Sequence, residues 1–349
     1  MDVAKYAVGP ESYDILSRVQ ISNFFSSNAC TKHQCDDLAA KLLGGPVSAT
    51  PIQGGNSYTV ERKEATKVVQ FRTSQLDMAK LGLVQQVYLQ FVPHCVYHGA
   101  LESLHVYIWD RVPGPAFCRV RSQIFTSDID MEQRLSQTVQ DFAKSVNTYY
   151  IVSADFYLVA HLLHTLISNS VVRFFALAWV NRPPNLEPPP LGLQDKYVGI
   201  LNELELSLPD SLHSTIDMVR QNLYLLFRPE FPIAVQHGDI LENNIHIEEE
   251  TGRITGVVDW HDAFVAPFGL SLGGVEILLG IQTHKDWHFH PSHVKLRQKF
   301  WDVFNSEIGQ VSEMNKRSIE IARLMGLLQT HGFEQNGTSG VYLKKLISV

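Results

Sequence analysis

The sequence predicts an α+β fold in two lobes, a small β-containing N-terminal lobe followed by a mainly helical C-terminal lobe. Three observations carry this expectation. The chain has 349 residues with 45% hydrophobic content, enough for a substantial core and more than one compact unit usually holds. Strand-like segments rich in β-branched and aromatic residues gather between about residues 46 and 114. From about Phe125 onward helical periodicity dominates, interrupted by one β island between Val235 and Phe264. The chain therefore divides into an N-terminal helical segment over 1–45, a β-containing lobe with its exit strand over 46–114, and a helical lobe over 115–349.

In order along the chain, "SYDILSRVQISNFFSS" and "TKHQCDDLAAKLLGG" read as two helices, the second stopping at Gly44 and Gly45. The segments "SATPIQGGNSYTVER" and "TKVVQFRTS" flank a Gly54-Gly55-Asn56 turn and read as a hairpin. A helix over "QLDMAKLGLVQQVYLQF" follows. Strand character returns in "HCVYHGA" and "LHVYIWDRVPG" until Pro113-Gly114 breaks it. Beyond this lie long helical patterns in "MEQRLSQTVQDFAKSVNTYY", "DFYLVAHLLHTLISNSVVRFFALAWV" and "QDKYVGILNELELSL". The proline-rich "NRPPNLEPPPLG" between the last two cannot continue either helix.

Charge and composition narrow the function classes. Formal net charge is −7 and no Lys/Arg run forms a phosphate-tracking stripe, so nucleic acid is not an expected partner. The start lacks a basic region followed by an apolar core, and apolar runs such as "VVRFFALAWV" are too short to span a bilayer. A cytoplasmic protein with no membrane partner is expected. Four cysteines are too sparse for a disulfide framework and read as reduced thiols. Cys30, His33 and Cys35 lack a second paired cluster, and the histidines of "HKDWHFHPSH" fit an aromatic loop better than a metal site. No G-x-S-x-G elbow or G-x-G-x-x-G turn points to a hydrolase or a dinucleotide enzyme.

The β island holds a polar knot in "VQHGDILENNIHIEEETGRITGVVDWHDAF". Singly, His237, Asp239, Asn244 and Asp259 are residues that cap turns. Together they suit phosphoryl transfer: a short loop presents Asp239 to an acceptor hydroxyl, while Asn244 and Asp259 supply oxygens to Mg²⁺. That ion commonly takes few protein ligands plus substrate phosphates.

The segment "HGDILENN" resembles the catalytic loop H-G-D-x-x-x-x-N of aminoglycoside phosphotransferases and choline-kinase-like small-molecule kinases, and "ITGVVDW" is similar to their metal-binding segment. With "VVQFR", "FVPHCVYHG" and "PFGLSLGGVE", the chain resembles a branch of this superfamily frequent in filamentous fungi. The resemblance implies a bilobal protein-kinase-like fold, ATP as phosphoryl donor, Mg²⁺ as cofactor and a small hydroxylated acceptor of unspecified identity. It implies Asp239 as the residue that orients the acceptor and takes its proton, and His237 as the residue that fixes the catalytic loop. Asn244 and Asp259 become the magnesium ligands. Gly54, Gly55, Asn56 and Ser57 become the flexible nucleotide loop, Arg72 the basic strand residue facing phosphate, and the main chain of Trp109, Asp110 and Arg111 the adenine-pairing hinge.

Two departures from the family pattern stand out. The helix after Arg72 carries no glutamate, and Asp77 falls early in it; in kinase-like folds such a glutamate fixes the basic strand residue. The usual D-P-x-x-D segment after the metal site reads "APFGLSLGGVE", with no aspartate. The alternative reading is thus a kinase-like binding or scaffold protein with weak turnover.

Overall fold

The computed structural model describes residues 3–125, 129–143, 174–183, 186, 189–283, 285–333 and 339–347. The chain starts with two helices, α1 (Pro10–Ser26) and α2 (Lys32–Leu43). Thr31 and Gln34 close a capping box at the start of α2, and Gly44 ends it in the left-handed region at φ 74°. The sheet comprises β1 (Ser48–Ala49), β2 (Ser57–Glu61), β3 (Lys67–Arg72), β4 (Cys95–Leu101) and β5 (Leu104–Asp110), antiparallel in the order β1-β2-β3-β5-β4. Helix α3 (Met78–Tyr88) connects β3 to β4.

The two-residue alternation of a strand decides what each face of this sheet does. Tyr58 and Val60 on β2, Val69 and Phe71 on β3, and Leu104 and Val106 on β5 bury against Phe24 of α1 and Cys35 and Ala39 of α2. Ser57, Thr59 and Glu61, with Val68, Gln70 and Arg72, are left on the opposite face, which lines the interlobe cleft.

The helical lobe holds α4 (Phe117–Ile124), α5 (Ile129–Ala143), α6 (Phe174–Val180), α7 (Leu193–Ser207), α8 (His213–Asn222), α9 (Gly274–Leu279), α10 (His293–Ile308), α11 (Glu313–His331) and α12 (Ser339–Ile347). Three two-stranded ladders accompany them: β6 (Ile233–Gln236) with β9 (Phe264–Pro267), β7 (Ile245–Ile247) with β8 (Ile254–Val257), and β10 (Gly280–Gln282) with β11 (Trp287–Phe289). The last ladder falls where the sequence reads as an aromatic, histidine-rich loop, because three-residue strands leave too short a pattern to show. Its histidines serve packing. His288 stacks on Tyr6 at 3.6 Å, His293 stacks on Phe289 at 4.4 Å, and His290 is buried edge-on to Phe125. Cys30 and Cys35 are buried free thiols 3.8 Å apart.

The α+β, two-lobed expectation holds. The sequence-predicted helices between 131 and 180 correspond to α5 and α6 at their ends, and 144–173 lie outside the described residues, as does His284. Among the described residues, no helix is long and apolar enough to cross a membrane.

Helix α3 belongs to the first half of the chain but packs on the second. Buried Tyr88 donates its hydroxyl to the Val235 carbonyl of β6 at 2.6 Å and packs against Trp260 at 4.7 Å between centroids. The connection after β5 is equally close. Gly114 adopts φ 78°, and a Cβ there would run into the Ile247 carbonyl oxygen of β7, so only glycine fits.

Candidate active site

The two halves of the polar knot meet at Val258. His237 leaves the end of β6 and donates its Nε2 proton to the Val258 carbonyl at 2.9 Å, while Val258 N–H donates to the Asn244 carbonyl at 2.9 Å. The next residue is Asp259. One hub thus fixes the 237–244 loop and the turn at Asp259 relative to each other. His237 Nδ1 accepts the Asp239 amide at 3.1 Å, so both ring nitrogens are used by a neutral imidazole. Full burial accounts for that state, since desolvation pushes the His237 pKa down to about 4. Gly238 is required between them, because a Cβ would strike the Asp262 carbonyl.

Asn244 donates through Nδ2 to the Asp239 carbonyl at 2.9 Å and lies 3.4 Å from its Oδ2. The Asp239 carboxyl is held above the usual carboxylate range, chiefly by burial and then by the nearby negative charges of Asp259 and Asp262. Asp259 sits at φ 64°, a left-handed conformation uncommon outside glycine and asparagine. Its Oδ1 accepts from His261 Nδ1 at 3.0 Å, and His261 Nε2 lies 3.1 Å from Asp262. Among the described residues no three His, Cys, Asp or Glu side chains gather as a metal cage. Asn244 and Asp259 are nevertheless a fitting pair for Mg²⁺. They offer hard side-chain oxygens at the cleft wall and would leave the remaining positions to phosphate and water.

Above them opens a cleft of about 740 Å³, with Asn244 and Asp259 on one wall and the sheet on the other. Arg72 is 4% exposed and aims Nη1 at Asp259 Oδ1 at 4.0 Å, while its Nε is buried without a partner among the described residues. Lys67 is taken up by an ion pair with Asp110. Of the glycine turn, Gly54 and Ser57 reach the cleft, whereas Gly55 and Asn56 form the tip and the Asn56 carbonyl accepts from Thr73 N–H at 3.3 Å. The sequence reading missed Gln53. Its side-chain amide donates to the Thr50 and Thr59 carbonyls at 3.0 and 2.8 Å and accepts from Thr59 N–H at 3.0 Å, pinning the base of the turn.

The hinge requires a correction. Trp109, Asp110 and Arg111 line the cleft, but the Asp110 amide donates to the His94 carbonyl and the Arg111 amide to the Thr66 carbonyl, each at 2.8 Å. Sheet pairing therefore consumes these two amides. Val112 is the first residue past the strand whose main-chain groups have no partner among the described residues. Gly256 of β8 sits beneath it, where a Cβ would come within 2.7 Å of Val112.

Asp239 opens on a smaller cavity of about 80 Å³ with Phe264, Ser271, Gln329 and Thr330, apart from the cleft that holds Asn244 and Asp259. The missing D-P-x-x-D support is replaced by Ser271, whose hydroxyl donates to the His237 carbonyl at 2.9 Å and whose amide donates to Gln236 Oε1 at 3.2 Å. Asp77 accepts the Lys80 amide as the N-cap of α3 and is not the partner of Arg72.

Residues 158–273 match the model of the phosphotransferase enzyme family, a stretch that contains His237, Asp239, Asn244 and Asp259. Among solved structures, the chain is similar to a spectinomycin phosphotransferase, APH(9)-Ia, in complex with ADP and spectinomycin, at 13% identity over 92% of this chain and 94% of that one, with a TM-score of 0.43. It is also similar to the aminoglycoside phosphotransferase APH(4)-Ia, at 13% identity over 91% and 97% of the two chains with a TM-score of 0.48. A third similar structure is APH(3'')-Id from Streptomyces rimosus, at 11% identity over 85% and 98% with a TM-score of 0.45. No curated protein matches the chain.

Proposed function

We propose that this protein transfers the terminal phosphoryl group of ATP to a hydroxyl of a small molecule, with Mg²⁺ as cofactor. The observation that carries the reading is the Val258 hub, which brings the catalytic loop and the metal-binding turn into one fixed unit facing the cleft. Packing alone does not need it, since buried His237 and half-buried Asp239 both incur desolvation.

Each residue then has a task its surroundings suit. The sheet face and the Gln53-pinned turn cover the nucleotide, Val112 offers main-chain groups to the purine edge, and Arg72 meets the phosphates. Asn244 and Asp259 hold the metal, which when bound spreads and neutralises charge on the phosphates. Asp239 lines the smaller cavity, and its side chain lies 3.4 Å from Asn244, which lines the cleft. An acceptor hydroxyl seated there would give its proton to the Asp239 carboxylate as it attacks, and the raised proton affinity of that carboxyl favours the transfer. In phosphoryl transfer, positioning and electrostatics supply most of the rate.

The test is phosphate release from ATP by purified wild type and Asp239→Asn, with nucleotide binding followed in parallel. We expect Asp239→Asn to bind ATP as the wild type does and to lose at least about 100-fold in turnover. Equal turnover in the two proteins would remove Asp239 from the chemistry. A wild type that binds ATP without turnover under any acceptor would favour the scaffold reading.

A further inference from the structure

In the sheet lobe, Arg72 has no carboxylate on α3 to hold it, because Asp77 is spent as a cap and the remainder of the helix carries no acid. The helix brings a base to the cleft. Lys80, in its first turn, lines the cleft and extends Nζ to the His261 carbonyl oxygen at 2.7 Å. A cation in the first turn opposes the helix dipole, so local helix energetics do not favour lysine there. Its charge has no carboxylate partner among the described residues either, and its single acceptor is a neutral carbonyl. That carbonyl lies two residues after Asp259, the residue toward which Arg72 also points. Two cations from different elements therefore converge on the metal-binding turn. One of them, Arg72, is almost fully buried, with its Nε unpartnered among the described residues. Two cations lining the cleft beside one partly exposed carboxylate, Asp259, leave an excess of positive charge that an anion completes.

We propose that Lys80 is a second phosphate-binding cation, held ready by the His261 carbonyl and paired with Arg72 across the nucleotide phosphates. This rests on the nucleotide reading above. The helix that would otherwise orient the strand cation with an acid contributes a base in its place. Arg72 is then oriented by the phosphates and Asp259. Lysine suits the position because its ammonium has three donors, so it can keep the carbonyl bond while meeting a phosphate oxygen.

The experiment is calorimetric titration of the full chain with ATP and with adenosine, in magnesium, for wild type, Lys80→Met, Lys80→Gln and Lys80→Arg. Lys80→Met should weaken ATP by about 10- to 100-fold, as expected for a lost charge-assisted contact, and leave adenosine within about twofold. Lys80→Gln keeps a donor for the His261 carbonyl but has no charge, so it should lose ATP affinity to a similar extent. Lys80→Arg should recover most of the loss. Lys80→Gln with wild-type ATP affinity would overturn the proposal and leave Lys80 a strut, and equal losses for ATP and adenosine would overturn it as a packing defect. If Lys80→Met does not fold, the Gln and Arg variants decide. A wild type that binds neither ligand would bring down the nucleotide reading itself, whereas failure in the variants alone would leave that reading intact.

Discussion

Asp259 carries opposing demands at a single residue. Its left-handed backbone costs on the order of 1 to 3 kcal/mol for most side chains, and less for Asp or Asn, whose short polar groups tolerate that region. Its carboxylate also raises the proton affinity of Asp239. Neither serves stability, which agrees with a place kept for metal binding. Asp259→Asn keeps volume and backbone preference, and the ion pair it loses is long and partly exposed. Unfolding in urea should therefore shift by about 1 kcal/mol or less. Magnesium-dependent ATP affinity should fall far more. Equal affinity in magnesium for wild type and variant would take Asp259 out of the metal site.

His237 gives a pH signature. Burial holds its folded pKa at about 4, while the unfolded chain titrates near 6.5, so between these values the unfolded state binds more protons. The stabilisation is therefore present above pH 6.5 and is lost as pH falls toward 4, to the extent of about 3 kcal/mol. His246, also pushed down by burial, acts in the same direction, whereas Asp239, pushed up, acts against it. His237→Gln should flatten the acid limb of unfolding free energy against pH without abolishing it. An unchanged slope between pH 6.5 and 4 would mean that His237 is not buried neutral.

At the scale of elements, the loop carrying His237 to Asn244 depends on contacts that no local pattern announces. Ser271 stands in for the expected aspartates by bonding the His237 carbonyl and Gln236, 34 and 35 residues away. Ser271→Ala should lower stability by about 1 kcal/mol, the usual worth of one such bond, measured by denaturant unfolding. No change would show that the Ser271 amide alone braces the loop. This explains what the sequence could and could not disclose. His237, Asp239, Asn244 and Asp259 were legible because motif spacing encodes a loop and a short ladder. The strands of the five-stranded sheet were legible from their alternation, and with them the cleft face that holds Arg72. Gln53, Lys80 and Ser271 were not legible, because each gains its meaning from a carbonyl or amide supplied by another part of the fold. The hinge misled for the same reason: β-strand character at 109–111 does not disclose that the residues just before β3 and β4, Thr66 and His94, already take the Arg111 and Asp110 amides.

At the scale of the molecule, the sheet lobe is tied to the helical lobe on both sides of the cleft. Helix α3 docks on the helical lobe through Tyr88 and Lys80, and the chain after β5 passes within contact of Ile247 at Gly114. Gly114→Ala must adopt positive φ and displace a carbonyl, so it should destabilise by about 3 kcal/mol in denaturant unfolding. A variant as stable as the wild type would mean that this crossing yields easily and does not fix the lobes.

The central claim is that the cleft between these lobes binds ATP through a magnesium ion held by Asn244 and Asp259. Calorimetric titration of the wild type with ATP, in magnesium and again in a chelator, tests it most directly. Magnesium should tighten ATP by at least about tenfold, as expected if Asn244 and Asp259 hold the ion. The same affinity with and without magnesium, or no binding at millimolar ATP, would contradict it.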